Sequence, residues 1–234
     1  MSLIKSLTFN SKTNSDKLNF NIPHPIYISE GFAISQFNSV HTVYNVSERN
    51  NNFSFIESDT PGTTRTLTIP VGNYILSSYM SVLSTLLNSS GTNAYTVSNN
   101  ALTNRISIIA ATKTFKIVAV LKDTYNEAGF TISSAFALTQ TASSTYDLSG
   151  LKTINICSNS FGVGNCITIG SNMNIIASIP ITVSYLGVIS YNPNVCFISS
   201  QISEINAASF IFTDELYRTI TLDKDYSLTV LLSQ

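Results

Sequence analysis

The chain has 234 residues, of which 44% are hydrophobic and only 11% charged, and its formal net charge is -1. That length holds one large β domain or two small ones, since domains commonly run to roughly 100–200 residues, and the near-neutral balance argues against wrapping nucleic acid, which needs a concentrated basic face. No run of ~18 apolar residues occurs and Met1–Asn10 lacks the apolar stretch of a signal peptide, so the expectation is no membrane span and synthesis in the cytosol.

From Met1 to about Asn52 the apolar pieces are short, and Leu18–Ile22 and Ile26–Ile28 are separated by Pro23 and Pro25. Proline cannot donate to a strand ladder, so residues 1–52 read as an extended N-terminal arm or edge strands, packed on their own domain or on a neighbour. In the second case, deleting the residues before Phe53 leaves the remaining domain within roughly 1 kcal/mol of its stability and abolishes assembly.

Phe53 and Phe55, then Leu67 and Ile69, alternate on either side of Asp59, Pro61 and Gly62, which predicts a hairpin. After Pro70 and Gly72 the period changes. Ile75, Leu76, Tyr79, Met80, Leu83, Leu86 and Leu87 recur at helical spacing, predicting one amphipathic helix from about Ser77 to Asn88 with Ser77 or Ser78 at its cap. Tyr95 and Val97 face Ile106 and Ile108 across the turn-prone Ser98–Asn104, a second hairpin, and Phe115, Ile117, Ala119 and Leu121 continue one strand face. An isolated helix of about three turns is unstable in water, so Tyr79, Leu83 and Leu86 should pack on a sheet containing Leu67, Ile69, Val97 and Ile106. Residues 53–140 therefore read as a small α+β subdomain.

Ser, Thr and Gly dominate Thr139–Gly150, a soft boundary. Beyond it, residues 150–234 carry the β-type runs Ile154–Ile156, Ile167–Ile169, Ile175–Val183, Val195–Ile198, Ser209–Phe212, Thr219–Leu222 and Leu228–Leu232, with no helical period between them. The fold class expected is mainly β: an antiparallel, jelly-roll-like β-sandwich, open to completion by strands from the N-terminal part, beside the subdomain with its one amphipathic helix.

Chemistry-bearing residues do not converge along the chain. His24 and His41 have no nearby carboxylate cluster or cysteine. Gly162-Val163-Gly164 is half of a phosphate loop, but nothing helical follows it, and a turn explains it better. Asp214 with Glu215, and Asp223 with Asp225, sit where the strand pattern breaks and read as turn residues. Lys113 and Lys116 fall on opposite faces of a strand, with Lys122 near them, and make no basic patch. Cys157, Cys166 and Cys196 form no metal spacing and read as reduced thiols, at least two of them buried. Asn45, Asn52 and Asn88 begin Asn-X-Ser triplets, as expected by chance in a chain so rich in both residues. The expectation is no catalytic, cofactor-binding or metal-binding residues and no cofactor.

Leu67-Thr-Ile-Pro-Val-Gly-Asn-Tyr74, the helix to Leu87 and the hairpin Tyr95–Ile108 resemble a unit of minor capsid and penton-like proteins of virophages, polinton-like viruses and large nucleocytoplasmic DNA viruses. The ending is similar to theirs as well: Ile211-Phe-Thr-Asp-Glu215, then Ile220-Thr-Leu-Asp223 and Tyr226–Leu232 as a final hairpin. Together these stretches cover under half of the chain. The resemblance implies a non-enzymatic virion protein, a penton or minor capsid component assembled in the host cytoplasm. It would self-assemble as a homo-oligomer and contact other capsid subunits, the major capsid protein among them. The Asn-, Ser- and Thr-rich composition suits such packing, because these side chains lose less on desolvation than Lys or Glu; an AT-biased genome produces the same enrichment. The alternative is a viral fibre or receptor-attachment β-sandwich module that presents loop aromatics such as Tyr146 and Tyr191 to a host glycan or protein.

Overall fold

β-branched and aromatic residues alternate with Asn, Ser and Thr through most of the chain, and this period of two is what a half-buried strand requires. The computed structural model describes residues 4–11, 17–161, 168–169, 173–200 and 202–233. It begins with β1 (Ile4–Ser11), β2 (Lys17–Tyr27) and β3 (Gly31–Val40). There follow β4 (Asn52–Glu57), β5 (Arg65–Thr68), α1 (Leu76–Ser90), β6 (Tyr95–Asn100), β7 (Arg105–Ala110), β8 (Phe115–Val118) and β9 (Thr139–Thr141). The chain ends with β10 (Thr153–Cys157), β11 (Thr168–Ile169), β12 (Met173–Pro180), β13 (Val188–Tyr191), β14 (Ile198–Ser199), β15 (Glu204–Thr213) and β16 (Tyr226–Ser233). These elements form two compact units, one made of Met1–Val43 with Leu151–Gln234 and the other of Tyr44–Gly150.

The first unit has one sheet in the order β1-β16-β3-β13, with β14 also paired to β3, and a second in the order β11-β12-β10-β15-β2. Every pairing is antiparallel. If β11 and β14 are set aside and the eight main strands numbered along the chain, the orders are 1-8-3-6 and 2-7-4-5, which is the double Greek key of a jelly roll. The inward residues interdigitate as aromatic pairs: Phe9 lies 5.0 Å from Phe210, Phe32 4.9 Å from Phe161, and Phe212 4.9 Å from Tyr226 between ring centroids.

The segment read as an arm or edge strands thus pairs within its own chain. β1 and β2 do lie at sheet edges, β2 with Pro23 and Pro25 in its middle, but β3 is interior, between β16 and β13. Gly31 marks where β3 meets β14: a Cβ there would lie 2.2 Å from the Ile198 carbonyl oxygen. Among the later runs, Ile175–Val183 stops as a strand at Pro180, Val195–Ile198 is reduced to the short β14, and Val188–Tyr191 forms a strand the pattern did not suggest. Thr219–Leu222 is not a strand. Ile220 and Leu222 are buried, yet the segment makes only an isolated bridge from Thr219 to Thr213.

In the second unit both expected hairpins form, with Phe53 opposite Leu67 and Val97 opposite Ile108. The helix buries Tyr79, Leu83 and Leu87, with Leu86 half-buried beside them. Its partners lie on two three-stranded sheets, β5-β4-β8 and β6-β7-β9, where the spacing suggested one. The N-terminal cap is Ile75, and Ser78 stabilises it from inside the first turn, its Oγ accepting from the Ile75 amide at 3.2 Å and donating to the Ile75 carbonyl at 2.9 Å. β8 ends at Val118, so Ala119 and Leu121 leave the strand and Leu121 is 82% exposed.

Candidate assembly surface

Antiparallel register fixes what each face of the jelly roll presents. On the sheet β1-β16-β3-β13, Phe9, Leu228 and Phe37 form one cross-strand row and are buried in the core. The neighbouring rows must then face away from it. They read Asn10, Ser227, Asn38, Ser190, and Thr8, Thr229, Gln36. Hydroxyls pair across the strands, with Thr8 Oγ1 3.2 Å from Thr229 Oγ1. No Lys, Arg, Asp or Glu interrupts these rows. Such a face can be covered by a protein partner without desolvating an ion, the step that costs most on burial. A groove of about 450 Å³ opens where the strands end, lined by Asn38, Val40, Val188, Asp225, Tyr226 and Ser227 among others.

Two loops at that same end of the jelly roll are held by buried polar groups. Asp214 is fully buried; its carboxylate accepts from the Leu216 amide at 2.9 Å, the Arg218 amide at 2.8 Å and Arg218 Nε at 2.7 Å. Tyr217 is fixed at φ 62° by this turn, a conformation bulky residues rarely adopt. Leu216 and Tyr217 project outward, 64% and 45% exposed. His41 clips the 181–187 loop in the same way: its amide donates to Gly187 O at 2.9 Å, its carbonyl accepts from the Leu186 amide at 2.7 Å, and its Nδ1 lies 3.3 Å from Val183 O. Leu186, at φ 66°, is exposed.

The structure therefore gives Asp214 the turn role read from sequence, and Asp223 and Asp225 lie exposed in the turn before β16. His24 is exposed between the two prolines of β2, whereas His41 is buried. Among the described residues no group of three or more His, Cys, Asp or Glu is placed to hold a metal ion. The Gly162-Val163-Gly164 motif and Cys166 lie outside the described residues. Cys157 is buried, with Thr213 Oγ1 3.9 Å from its sulfur, but Cys196 is exposed, so two buried thiols are not found among those described. Asn45 is no acceptor for a glycan. It is buried, its Nδ2 donating to Tyr74 O and Leu148 O at 2.8 Å each and its Oδ1 accepting from the Tyr74 amide at 2.8 Å. Asn52 and Asn88 likewise spend their side-chain amides on backbone carbonyls.

Tyr146 and Tyr191, proposed as loop aromatics for attachment, are each half-buried against the core of their own unit. The exposed aromatics are instead Tyr27, Phe197 and Tyr217. Lys113 precedes its strand and pairs with Asp59, while Lys116 sits over the Phe136 ring, 5.0 Å from its centroid. Neither is free to build a basic patch.

One buried charge escaped sequence reasoning. Glu57 is fully buried in the second unit, taking the Arg65 guanidinium at 2.9 Å, the Tyr95 hydroxyl at 2.8 Å, and both the amide and the hydroxyl of Thr92. Burial, reinforced by the Glu57 carboxylate, pushes the Tyr95 phenol well above its ordinary range. The signal was parity, since Glu57 follows Phe53 and Phe55 on the same inward face of β4.

No protein-family model matches the chain, and no curated protein matches it in sequence. Among solved structures it is similar to the mavirus penton protein, determined as a selenomethionine crystal structure, with a TM-score of 0.54 at 12% sequence identity over 99% of this chain and 100% of that one. At this identity the likeness establishes the fold, mainly β with antiparallel sheets and one helix.

Proposed function

We propose that the chain is a non-enzymatic virion structural protein, a penton or minor capsid component that works by self-assembly and by contact with other capsid subunits, including the major capsid protein. The observation that carries this reading is the likeness to a penton protein, which runs through the whole chain rather than one segment of it. The jelly roll adds a physical reason: the outward rows Asn10, Ser227, Asn38, Ser190 and Thr8, Thr229, Gln36 are uncharged amides and hydroxyls, which a protein partner can dry at less cost than charged groups. Assembly would take place in the host cytoplasm and the product would be the virion.

The test is co-expression with the major capsid protein, followed by purification of particles and quantitative mass spectrometry. A fixed stoichiometry in the particle is expected. Absence from particles, together with a purified chain that stays monomeric at high concentration, would overturn the proposal.

A further inference from the structure

Sheet edges are where strands find unintended partners, and natural sequences protect them with proline, bulges or brevity. The jelly roll protects its edges unevenly. β2 carries Pro23 and Pro25 and a register shift between Ile205 and Ala207 of its partner. β11 has two described residues and β13 has four. In the other unit the six-residue β6 is capped at Tyr95, whose amide and carbonyl are both taken by the Asn88 side chain. β1 differs from all of these. It is eight residues long, lacks proline, pairs with β16 without a register shift, and among the described residues has no strand on its other side.

We propose that β1 pairs with β1 of a second copy, antiparallel about a two-fold axis at Leu7, joining the two five-stranded sheets into one. The occupant is argued from length and chemistry. No other edge strand described offers seven residues free of proline, so the partner that matches Ile4–Asn10 along its length is the same segment of a second copy. Centred on Leu7, the pairing sets Ser6 opposite Thr8 of the second copy and Ile4 opposite Asn10 on the outward face. Hydroxyl then meets hydroxyl, as Thr8 and Thr229 already do within one copy. The single charge, Lys5, falls opposite Phe9 and not opposite itself. One strand pair covers less than the roughly 800 Å² per partner of a stable complex, so the contact is weak and concentration-dependent. It is a separate contact from those to other capsid subunits, so its failure leaves the capsid proposal to be decided by the composition of the particle.

The register makes the test specific. Ser6 and Thr8 are exposed and outward, so replacing them leaves the core intact. Ser6→Lys with Thr8→Lys places two pairs of like charges across the axis; Ser6→Lys with Thr8→Glu places two pairs of opposite charges there. Sedimentation equilibrium from about 10 μM to about 1 mM should show the native chain moving toward twice the monomer mass. The double-lysine variant should need at least about tenfold more protein to do so, and the lysine–glutamate variant should match the native chain within about threefold. Both should melt with the native chain, and amide exchange in β1 should slow with concentration in all but the double-lysine variant. A native chain that stays monomeric at ~1 mM, two variants that dissociate alike, or oligomers indifferent to both pairs of substitutions would each overturn the proposal.

Discussion

Replacing Glu57 by Gln keeps volume and shape while removing the charge that four groups are arranged around. The native carboxylate takes two bonds from Thr92 and one from Tyr95 and faces Arg65, and it is fully buried. A hydrogen bond to a charged acceptor contributes about 1 kcal/mol more than one to a neutral acceptor, so three bonds account for about 3 kcal/mol. Losing the partner of Arg65 adds to this. The addition is small because the Arg65 side chain is 23% exposed and can turn toward water. The total expected is about 3–4 kcal/mol in the Tyr44–Gly150 unit. Urea unfolding with amide exchange read on α1 and β6 measures it, since Arg65 also donates to Ser90 O at the end of the helix. Pairing the change with Arg65→Met should recover no more than about 1 kcal/mol, the share of the loss that the unpaired cation accounts for. A loss under about 0.5 kcal/mol would refute the reasoning.

Leu83→Asp should unfold the helix-bearing unit, since it strips a fully buried side chain and inserts an ion without a partner, together costing more than about 4 kcal/mol; retained helical circular dichroism would contradict this. The Asp59 carboxyl is held below its ordinary pKa, chiefly by its hydrogen bond to Lys113. That contribution is present at neutral pH, above the unfolded value, and is lost as pH falls through the folded one. Lys113→Ala should move the Asp59 titration back up, as followed by carboxyl NMR, and should lower the melting point slightly at neutral pH while leaving it unchanged at acid pH. Thiol titration of the native chain should modify Cys196 quickly and Cys157 only on unfolding.

What was legible in the sequence was local. The hairpins β4–β5 and β6–β7 and the helix α1 are each specified within about 20 residues by alternation, turn residues and a change of period, so neighbours in sequence are neighbours in space. Burial without pairing was not legible: Ile220 and Leu222 alternate like a strand because both are buried, although no ladder forms over them. The converse failure is β13, where only Ile189 is fully buried and four residues are too few to show a period. Ala119 and Leu121 continued the parity of β8 past its end because parity alone cannot report where backbone pairing stops. The outward rows of the jelly roll could not be read at all. A serine or asparagine on a strand gives no sign of its face until the register of the neighbouring strand is known.

The N-terminal strands were hidden for the same reason, and their removal is the decisive perturbation. β3 pairs Phe37 with Leu228 and Tyr191, so its partners lie beyond the entire Tyr44–Gly150 unit. No window along the chain contains both sides of that ladder. Yet residues before Tyr44 place Phe9, Ile26, Ile28, Phe32, Ile34, Phe37 and Val43 in the core of the jelly roll. Fully burying such side chains contributes about 2 kcal/mol each, so together they stabilise the unit by about 14 kcal/mol. That is comparable with the upper end of the roughly 5–15 kcal/mol by which a whole domain is typically stable. Deletion of the residues before Phe53 should therefore leave Leu151–Gln234 without a cooperative transition and exposing apolar surface to dye. The helix of the other unit, whose core loses only Val46 with these residues, should remain by circular dichroism. If the truncated chain instead melted cooperatively in both units, within about 1 kcal/mol of the native stability, the first strands would be an arm for a neighbour rather than part of this jelly roll.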